Sequence, residues 1–288
     1  MLLRVSHHTR YDYSQPVSFA PHLLHLRPRE TPLHRLRSFR CHLSPEARLL
    51  STVDAQDNTA HWAHFWEKSA ALNIRTEFEI ETLETNPFDF LLRPAIARFP
   101  FSYGPADQFA LAPYLAPPFD RTQARLRSWL AEHLVDPPQE TVPFLMALNG
   151  LLHRTIRYAR REQGAIQASL ETLSLGSGSC RDFAVLLIEI CRTFGVAARF
   201  VSGYLYDPPL PEDQDPVPGA MHAWVEVYLP GAGWKGFDPT RNMVCGETFI
   251  PVAHAAQADI INPIQGTYYA SGPVSSKLTT SVLVEKLA

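Results

Sequence analysis

Apolar and polar residues alternate with period two along much of the first 85 residues. The alternation is clearest over residues 5–13, 39–43 and 78–82. Such a pattern is typical of β-strands with one buried face. The run Asp54-Ala55-Gln56-Asp57-Asn58 has the composition of a turn. Several short strands separated by Pro and Asx turns predict a small N-terminal β-sandwich-like domain.

Prolines interrupt the chain between residues 86 and 119, where no sustained periodicity is present. The pairs Asn86-Pro87, Arg93-Pro94 and Pro117-Pro118 are typical of connecting segments. We therefore predict two domains. The first covers residues 1–119, a β-rich domain with its Pro-rich connection, and the second covers residues 120–288.

The apolar period changes to that of a helix after Asp120. A second helix is expected from Thr141 and a third from Cys180. The third helix is apolar on nearly all sides and is therefore predicted to be buried. Gly195 suits the end of this third helix, because glycine readily adopts the left-handed conformation found there. The stripe of the first helix consists of Leu126, Trp129, Leu130 and Leu134.

Strand-like segments return after Gly195. Residues 197–206 predict one strand, residues 223–229 and 234–237 predict an antiparallel pair, and residues 273–287 contain a last strand. A Pro-rich loop, residues 207–219, lies between the first two of these segments. One buried helix followed by antiparallel strands predicts the α+β class.

Composition excludes several classes of protein. The 288 residues are 45% hydrophobic, enough for a packed core, and the formal net charge of -3 gives no basic surface for nucleic acid. The apolar start of the chain is too short for a signal peptide, and no run approaches the roughly 20 apolar residues of a membrane span. We therefore expect a cytoplasmic protein without membrane contact.

Cys180 is the strongest candidate for chemistry. Residues 176–179 read Gly-Ser-Gly-Ser, and the apolar helix begins directly at the cysteine. A thiolate is the reactive form of cysteine, and a helix N-terminus stabilises negative charge. The alternative is a buried structural thiol, the usual state of a free cysteine. The small-residue loop before the helix favours a nucleophile.

The other cysteines, Cys41, Cys191 and Cys245, are spaced without the regularity of a disulfide framework. No CxxC or HxxxH spacing is present, so we expect neither a metal site nor a cofactor. The pairs His7-His8 and His61/His64 are interpreted as surface or sheet residues.

His222 and Asp238 supply the remaining groups of a nucleophilic triad. His222 begins a predicted strand and is the candidate base, whereas Asp238, at the end of the neighbouring strand, is the candidate orienting carboxylate. The alternatives are a half-buried strand histidine, one of 12 in the chain, and an aspartate that only forms the turn before Pro239.

The segments that carry these three residues resemble the transglutaminase-like superfamily, which shares the papain-like arrangement of a cysteine helix packed on an antiparallel sheet. The motifs lie between about residues 140 and 245, in the family's order. The resemblance implies that residues 120–288 form a catalytic core with Cys180, His222 and Asp238 as its triad. The matching segments are Leu170-Glu171-Thr172-Leu173, residues 178–184, residues 198–204, residues 222–226 and residues 237–240.

The N-terminal stretch resembles the β-rich domain that precedes this core in a bacterial subgroup. The resemblance rests on residues 8–13, residues 24–28 and Asp57-Asn58. Members of that subgroup commonly have Gln directly after the cysteine, where this chain has Arg181. We interpret Arg181 either as part of a solvated face or as a subsite for an anionic substrate. Asp182 is interpreted as a carboxylate that favours the helix dipole or as a salt-bridge partner.

These residues predict an enzyme that attacks a carboxamide or peptide carbonyl and forms a thioester. The expected substrate is a peptide or protein, with a primary amine as an optional acceptor. Acceptance of an amine gives a transamidase, and acceptance of water gives an amidohydrolase or a cysteine peptidase. The triad is the same in all three kinds of enzyme, so the sequence does not distinguish between these activities. A non-catalytic binding module is the remaining hypothesis, and the presence of all three triad candidates disfavours it.

Overall fold

The computed structural model describes residues 1–161, 164–208 and 221–287. The first 85 residues form antiparallel strands, as the alternation predicts. These strands are β1 (Leu2–Phe19), β2 (His22–Leu24), β3 (His34–Ser44), β4 (Ala47–Val53), β5 (Thr59–Phe65) and β6 (Ser69–Thr82).

Helices occupy much of the middle of the chain. The segment of residues 86–119, expected to be irregular, contains two short α-helices and a single turn of 3-10 helix at residues 94–96. The three predicted long helices are all present. The helices are α1 (Pro105–Ala110), α2 (Ala112–Leu115), α3 (Asp120–His133), α4 (Thr141–Thr155), α5 (Ser169–Leu175) and α6 (Cys180–Thr193). None of these described helices is long and apolar enough to cross a membrane.

The second half of the chain adds the remaining strands and a second 3-10 turn at residues 258–261. They are β7 (Arg157–Tyr158), β8 (Ser177–Gly178), β9 (Ala198–Leu205), β10 (Met221–Leu229), β11 (Gly233–Asp238), β12 (Met243–Val244), β13 (Phe249–Ala255), β14 (Ile264–Gln265), β15 (Tyr268–Tyr269) and β16 (Ser276–Lys286).

Two sheets form the N-terminal sandwich. In the long sheet β1 lies between β6, which pairs with β3, and the late strands β15 and β16. The short sheet has the order β14-β2-β5-β4. Apolar residues of both sheets share one buried cluster, which includes Ile74 of the long sheet and Ala63 of the short sheet. The predicted sandwich-like arrangement is confirmed.

The core sheet is antiparallel with the order β12-β11-β10-β9-β13. Helix α6 packs across β10 and β9 and is buried through Phe183, Leu187 and Ile190. Gly195 follows the end of α6 with a φ of 75°, the left-handed conformation expected of it. A buried cysteine helix packed on an antiparallel sheet confirms the α+β class.

The C-terminal strand returns to the N-terminal half of the molecule. β16 pairs with β1 in antiparallel register from Leu3↔Lys286 to Tyr13↔Ser276. The division of the chain into domains at residues 119 and 120 stays a prediction. Residues 276–286, which it assigns to the second domain, pair with β1 in the long sheet. The reason is physical: β1 offers a free edge of backbone donors and acceptors, which β16 satisfies.

One hydrophobic cluster joins the long sheet to the core. Its members from the long sheet include Val5, Phe78 and Val282, and they pack in the same cluster as Phe183 of α6 and Phe200 of β9. Burial of apolar side chains contributes on the order of 1.5–3 kcal/mol each. The two halves are therefore held together by a shared core rather than by a flexible link.

A buried carboxylate fixes the start of α6. Asp182 is completely buried, and its Oδ2 accepts hydrogen bonds from the backbone N–H and the hydroxyl of Ser179, both at 2.7 Å. Its Oδ1 accepts from the backbone N–H of Gln167 at 2.7 Å and from Arg161 Nη2 at 3.0 Å. The salt-bridge interpretation of Asp182 is confirmed, and the carboxylate also caps the helix.

Gly178 allows the carboxylate to come this close. A Cβ atom at this position would lie 2.8 Å from the Cβ of Asp182 and 3.2 Å from Oε1 of Gln167. Any other residue would push the loop away from the first turn of α6. The glycine two positions before Cys180 therefore has a steric role.

We expect Asp182→Ala to lower the free energy of unfolding by about 3–5 kcal/mol, because it leaves three buried donors and the partly buried Arg161 without their acceptor. Urea denaturation followed by circular dichroism measures the change. Glu171→Ala, which removes an exposed first-turn carboxylate from α5, should cost less than about 1 kcal/mol. Equal effects of the two substitutions would contradict this account of Asp182.

Candidate active site

Cys180 is the first residue of α6 and is partly exposed. It lines a cleft, so its thiol is accessible from solvent. The first backbone N–H groups of an α-helix have no partner inside the helix and carry its positive dipole end. The sequence predicts that this thiol lies at the start of a buried helix, and the structure places Cys180 there.

His222 is the second residue of β10 and lines the same cleft. Its Nε2–H donates to Oδ2 of Asp238 at 2.7 Å. This bond occupies Nε2 and leaves Nδ1 as the ring nitrogen available to the Cys180 thiol. The Cys180 side chain is among the groups that raise the pKa of this imidazole. The structure thus brings the three predicted residues together.

Gly203 and Trp224 support the imidazole from the core sheet. Gly203 lies directly opposite His222 in the pairing of β9 with β10. A Cβ atom on Gly203 would lie 2.6 Å from the Trp224 ring and 2.2 Å from the carbonyl oxygen of Ile250. Because Gly203 has no side chain, the indole packs close to the strand, and the His222 ring stacks on it with centroids 6.3 Å apart.

Asp238 is held rigidly at the end of β11. Its side chain is fully buried, and Oδ1 accepts hydrogen bonds from the backbone N–H of Thr240 at 2.9 Å and from the Thr240 hydroxyl at 2.7 Å. The amide of Asn149, on α4, donates to the backbone carbonyl of Asp238 at 3.1 Å. Asp238 therefore has both roles considered for it: Oδ1 stabilises the turn through Thr240, and Oδ2 binds His222.

The electrostatics of the pair favour a charged imidazole. Burial lowers the pKa of His222, but the interactions with Asp238 and Cys180 outweigh burial and raise the pKa to about 9. Burial likewise acts to raise the pKa of Asp238, but the hydrogen bonds from His222 and Thr240 lower it below its ordinary value. At neutral pH the pair is an imidazolium bound to a carboxylate.

The other three cysteines have a different environment. Burial raises the pKa of Cys41 to about 11 and that of Cys191 to about 12, and burial also raises the pKa of Cys245. All four thiols are free. Since the thiolate is the nucleophile, these three residues are poor candidates for chemistry at neutral pH.

The cleft around Cys180 has a cavity volume of about 370 Å³ and lies between the core and the long sheet. Tyr158, Arg160 and Arg181 line the side next to the cysteine. Arg181 Nη2 donates to the backbone carbonyl of Arg161 at 3.2 Å. Arg181 thus lies at the cleft, as the subsite interpretation requires, with part of its hydrogen-bonding capacity used by the backbone.

Sequence reasoning missed several supporting residues. The Ser-x-x-Asp spacing of Ser179 and Asp182 is a helix-capping pattern, and Asp-Pro-Thr is a turn pattern, so both signals were present in the sequence. No signal pointed to His7 or to the long sheet as part of the cleft.

The Pro-rich loop, residues 207–219, lies outside the described residues beyond residue 208. Within the described part of the chain, no group of His, Cys, Asp or Glu side chains is arranged to hold a metal ion.

We expect stability to depend on pH through His222. Its pKa is raised in the folded state, so the stabilisation is complete below the unfolded pKa of about 6.5 and is lost as pH rises through about 9. The difference in free energy of unfolding between wild type and His222→Gln should therefore shrink by a few kcal/mol from pH 6 to pH 9.5. Chemical denaturation at the two pH values measures it, and a difference that grows with pH would contradict the assignment.

Two family models match the chain. Residues 3–81 match the bacterial transglutaminase-like N-terminal region, and residues 129–239 match the transglutaminase-like superfamily. Together they cover more than half of the chain. The second match contains Cys180, His222 and Asp238.

Relatives of similar length occur in mycobacteria. An uncharacterized protein of Mycobacterium tuberculosis is 29% identical over 282 residues, covering 93% of this chain and 88% of the relative. An uncharacterized protein of Mycobacterium leprae is 24% identical and covers 99% of both chains. The similarity therefore extends through the N-terminal sandwich as well as the core.

A solved structure shares the complete fold. The crystal structure of a protein from Cytophaga hutchinsonii, named a Putative Cysteine Protease, superposes with a TM-score of 0.73 at 16% sequence identity. The superposition covers 100% of this chain and 92% of that one. At this level of identity the comparison supports the fold. With the two family matches and the cysteine helix packed on its antiparallel sheet, the chain belongs to the transglutaminase-like superfamily and carries the bacterial N-terminal region of that superfamily.

Proposed function

We propose that the protein catalyses cysteine-dependent acyl transfer on a carboxamide or peptide carbonyl through a thioester. The observation that carries this proposal is the 2.7 Å hydrogen bond between His222 and the buried Asp238, in the same cleft as the partly exposed Cys180. A nucleophile, a base and a group that orients the base are the components of triad catalysis.

In the first step the Cys180 thiolate attacks the carbonyl carbon, and the carbonyl oxygen takes up negative charge. An imidazolium next to the thiol stabilises the thiolate, and Asp238 keeps His222 charged and oriented. Backbone N–H groups at the start of α6 are positioned to hold the oxyanion. When the C–N bond breaks, His222 gives its proton to the leaving amine or ammonia, and a thioester on Cys180 remains.

In the second step an acceptor resolves the thioester. A primary amine or water attacks the carbonyl carbon, neutral His222 removes its proton, and the C–S bond breaks to regenerate the thiolate. An amine acceptor gives a new amide, and water gives a carboxylate. The same residues perform both reactions, so access of water to the thioester determines the product.

Peptide hydrolysis is the second form of this chemistry. The name of the Cytophaga hutchinsonii protein favours it. The proposed substrate is a peptide or protein, with a primary amine as an optional acceptor, and the mechanism calls for no cofactor. The free thiols suit a reducing compartment, and the cytoplasm is our proposed location.

We expect iodoacetamide at pH 6 to alkylate Cys180 at least about 100-fold faster than Cys41. Cys180 lies at a helix start in the same cleft as His222, which suits a reactive thiol, whereas the Cys41 thiol of pKa about 11 is almost entirely protonated at this pH. Peptide mapping by mass spectrometry of the folded protein measures both sites in one sample.

His222→Ala is the control for this selectivity, because it removes the cation and leaves the cysteine in place. Its Cys180 should react at close to the rate of an ordinary accessible thiol. Equal rates at Cys180 and Cys41 in the wild-type protein would rule out an activated nucleophile.

Substitution of the three residues should give a graded loss of turnover. We expect Cys180→Ala to abolish it, His222→Ala to lower it by about 10²–10⁴-fold, and Asp238→Asn to lower it by no more than His222→Ala. Glutamine-containing peptides, with and without a biotinylated primary amine, serve as donors, and mass spectrometry separates ammonia loss, amine incorporation and backbone cleavage.

Cys41→Ala is the matched cysteine control and should keep wild-type turnover. Turnover by folded Cys180→Ala at the wild-type rate would refute the nucleophile assignment. A greater loss in Asp238→Asn than in His222→Ala would require the two roles to be reassigned.

A further inference from the structure

One wall of the cleft comes from outside the transglutaminase-like core. Strands β1 and β16 present three cross-strand pairs of side chains to the cavity that contains Cys180 and His222. Their register places two hydroxyls side by side in the middle of this wall, with larger side chains on both sides. The three pairs are His7↔Val282, Thr9↔Thr280 and Tyr11↔Leu278.

The wall is close to the reacting groups. Met221, which precedes His222 on β10, packs both against the cluster shared by core and long sheet and against the cluster inside the sandwich. Tyr11 packs against that second cluster from the wall. A substrate whose carbonyl reaches Cys180 would therefore have part of its chain against β1 and β16.

A buried histidine organises the two hydroxyls. His7 Nε2 lies 3.0 Å from Oγ1 of Thr9 and 3.3 Å from Oγ1 of Thr280, while Nδ1 lies 2.8 Å from the hydroxyl of Tyr204. Burial, together with the neighbouring His8, lowers the pKa of His7 to about 4, so the ring is neutral at neutral pH. A neutral imidazole has one donor and one acceptor nitrogen, so Nε2 offers the two threonine hydroxyls either one proton or one lone pair.

Thr280 is the hydroxyl that a ligand can reach. Thr9 is buried, with 4% of its surface exposed, whereas Thr280 is exposed on the cleft side of β16. A hydroxyl both donates and accepts, and none of the six wall residues carries a charge at neutral pH. Such a wall suits an uncharged group with a donor and an acceptor, such as an amide, next to an apolar segment that packs on Tyr11 and Leu278.

We propose that this wall is a subsite for the acyl donor, in which the Thr280 hydroxyl binds a backbone amide of a peptide while Tyr11 and Leu278 pack along it. His7 and Thr9 are positioning residues that hold Thr280. The inference rests on the proposed function, since it concerns the same cleft, and it names a peptide chain as the part of the donor that is recognised. The bacterial N-terminal region and the last strand of the chain then determine specificity.

The test compares two reagents that alkylate the same thiol. Chloroacetone and acetyl-Ala-Ala chloromethyl ketone both form a C–S bond to Cys180 and release chloride, but only the second carries peptide amides. The ratio of their second-order rate constants at pH 6, peptide reagent over chloroacetone, measures what the wall contributes. We expect this ratio to be at least about ten in the wild-type protein, because several weak contacts between the peptide and the wall would together favour the peptide reagent by this amount.

Thr280→Val removes the hydroxyl and keeps the shape, and it should lower the ratio about fivefold, the effect of one neutral hydrogen bond. Thr280→Ser should restore it. Thr279→Val is the matched control, because Thr279 is the adjacent exposed threonine whose side chain lies on the opposite face of β16. It should leave the ratio unchanged.

The outcomes separate this inference from the proposed function. A wild-type ratio near one, or equal ratios for Thr280→Val and Thr279→Val, would overturn the subsite. If chloroacetone alkylates Cys180 no faster than Cys41, the activated nucleophile itself fails. A lower ratio in Thr280→Val with an unchanged chloroacetone rate would support a role in binding the peptide, because a damaged nucleophile would slow both reagents.

Discussion

The position of the candidate nucleophile depends on the buried carboxylate of Asp182. Four hydrogen bonds from three directions meet on its two oxygens, and together they connect the start of α6 to the loops that carry Gln167 and Arg161. A buried charge without such partners would be strongly destabilising, so the loops cannot move away without a large cost. The helix therefore begins at one defined residue, and Cys180 occupies its first turn.

The second constraint is the shared hydrophobic core of the two halves. Residues of β1, β6 and β16 belong to the same buried cluster as α6 and the core sheet. Because packed interiors deform little, the cleft between the halves has a defined width and a defined pair of walls. One wall carries the cysteine, the histidine and several arginines, and the other carries threonines, a tyrosine and apolar side chains. In our proposal the first wall performs the chemistry and the second wall binds the substrate.

The sequence predicts local structure and local chemistry well, but not which distant segments pair. Alternation and capping patterns predict β1, β3 and β6 and the helices that begin at Asp120, Thr141 and Cys180. The family motifs indicate the residues that meet in the cleft. The return of β16 to β1 could not be predicted, because the alternation of a strand specifies its faces and not its neighbour. His7 was missed for the same reason: its place beside the cleft depends on how the long sheet packs on the core.

The charge state of His222 connects these observations to the chemistry. A pKa of about 9 keeps the imidazole protonated at neutral pH, and the buried Asp238 maintains that state; in the proposed mechanism this proton goes to the leaving group. In the proposed mechanism neutral His222 becomes the base for the acceptor once its proton has left with the amine, so a single residue would serve both steps. The same proton transfer would serve an amine or water. The choice between acceptors must therefore come from what occupies the rest of the cleft when the thioester forms. A bound peptide that covers the β1–β16 wall would exclude water there, and the N-terminal region would then influence the product as well as the substrate.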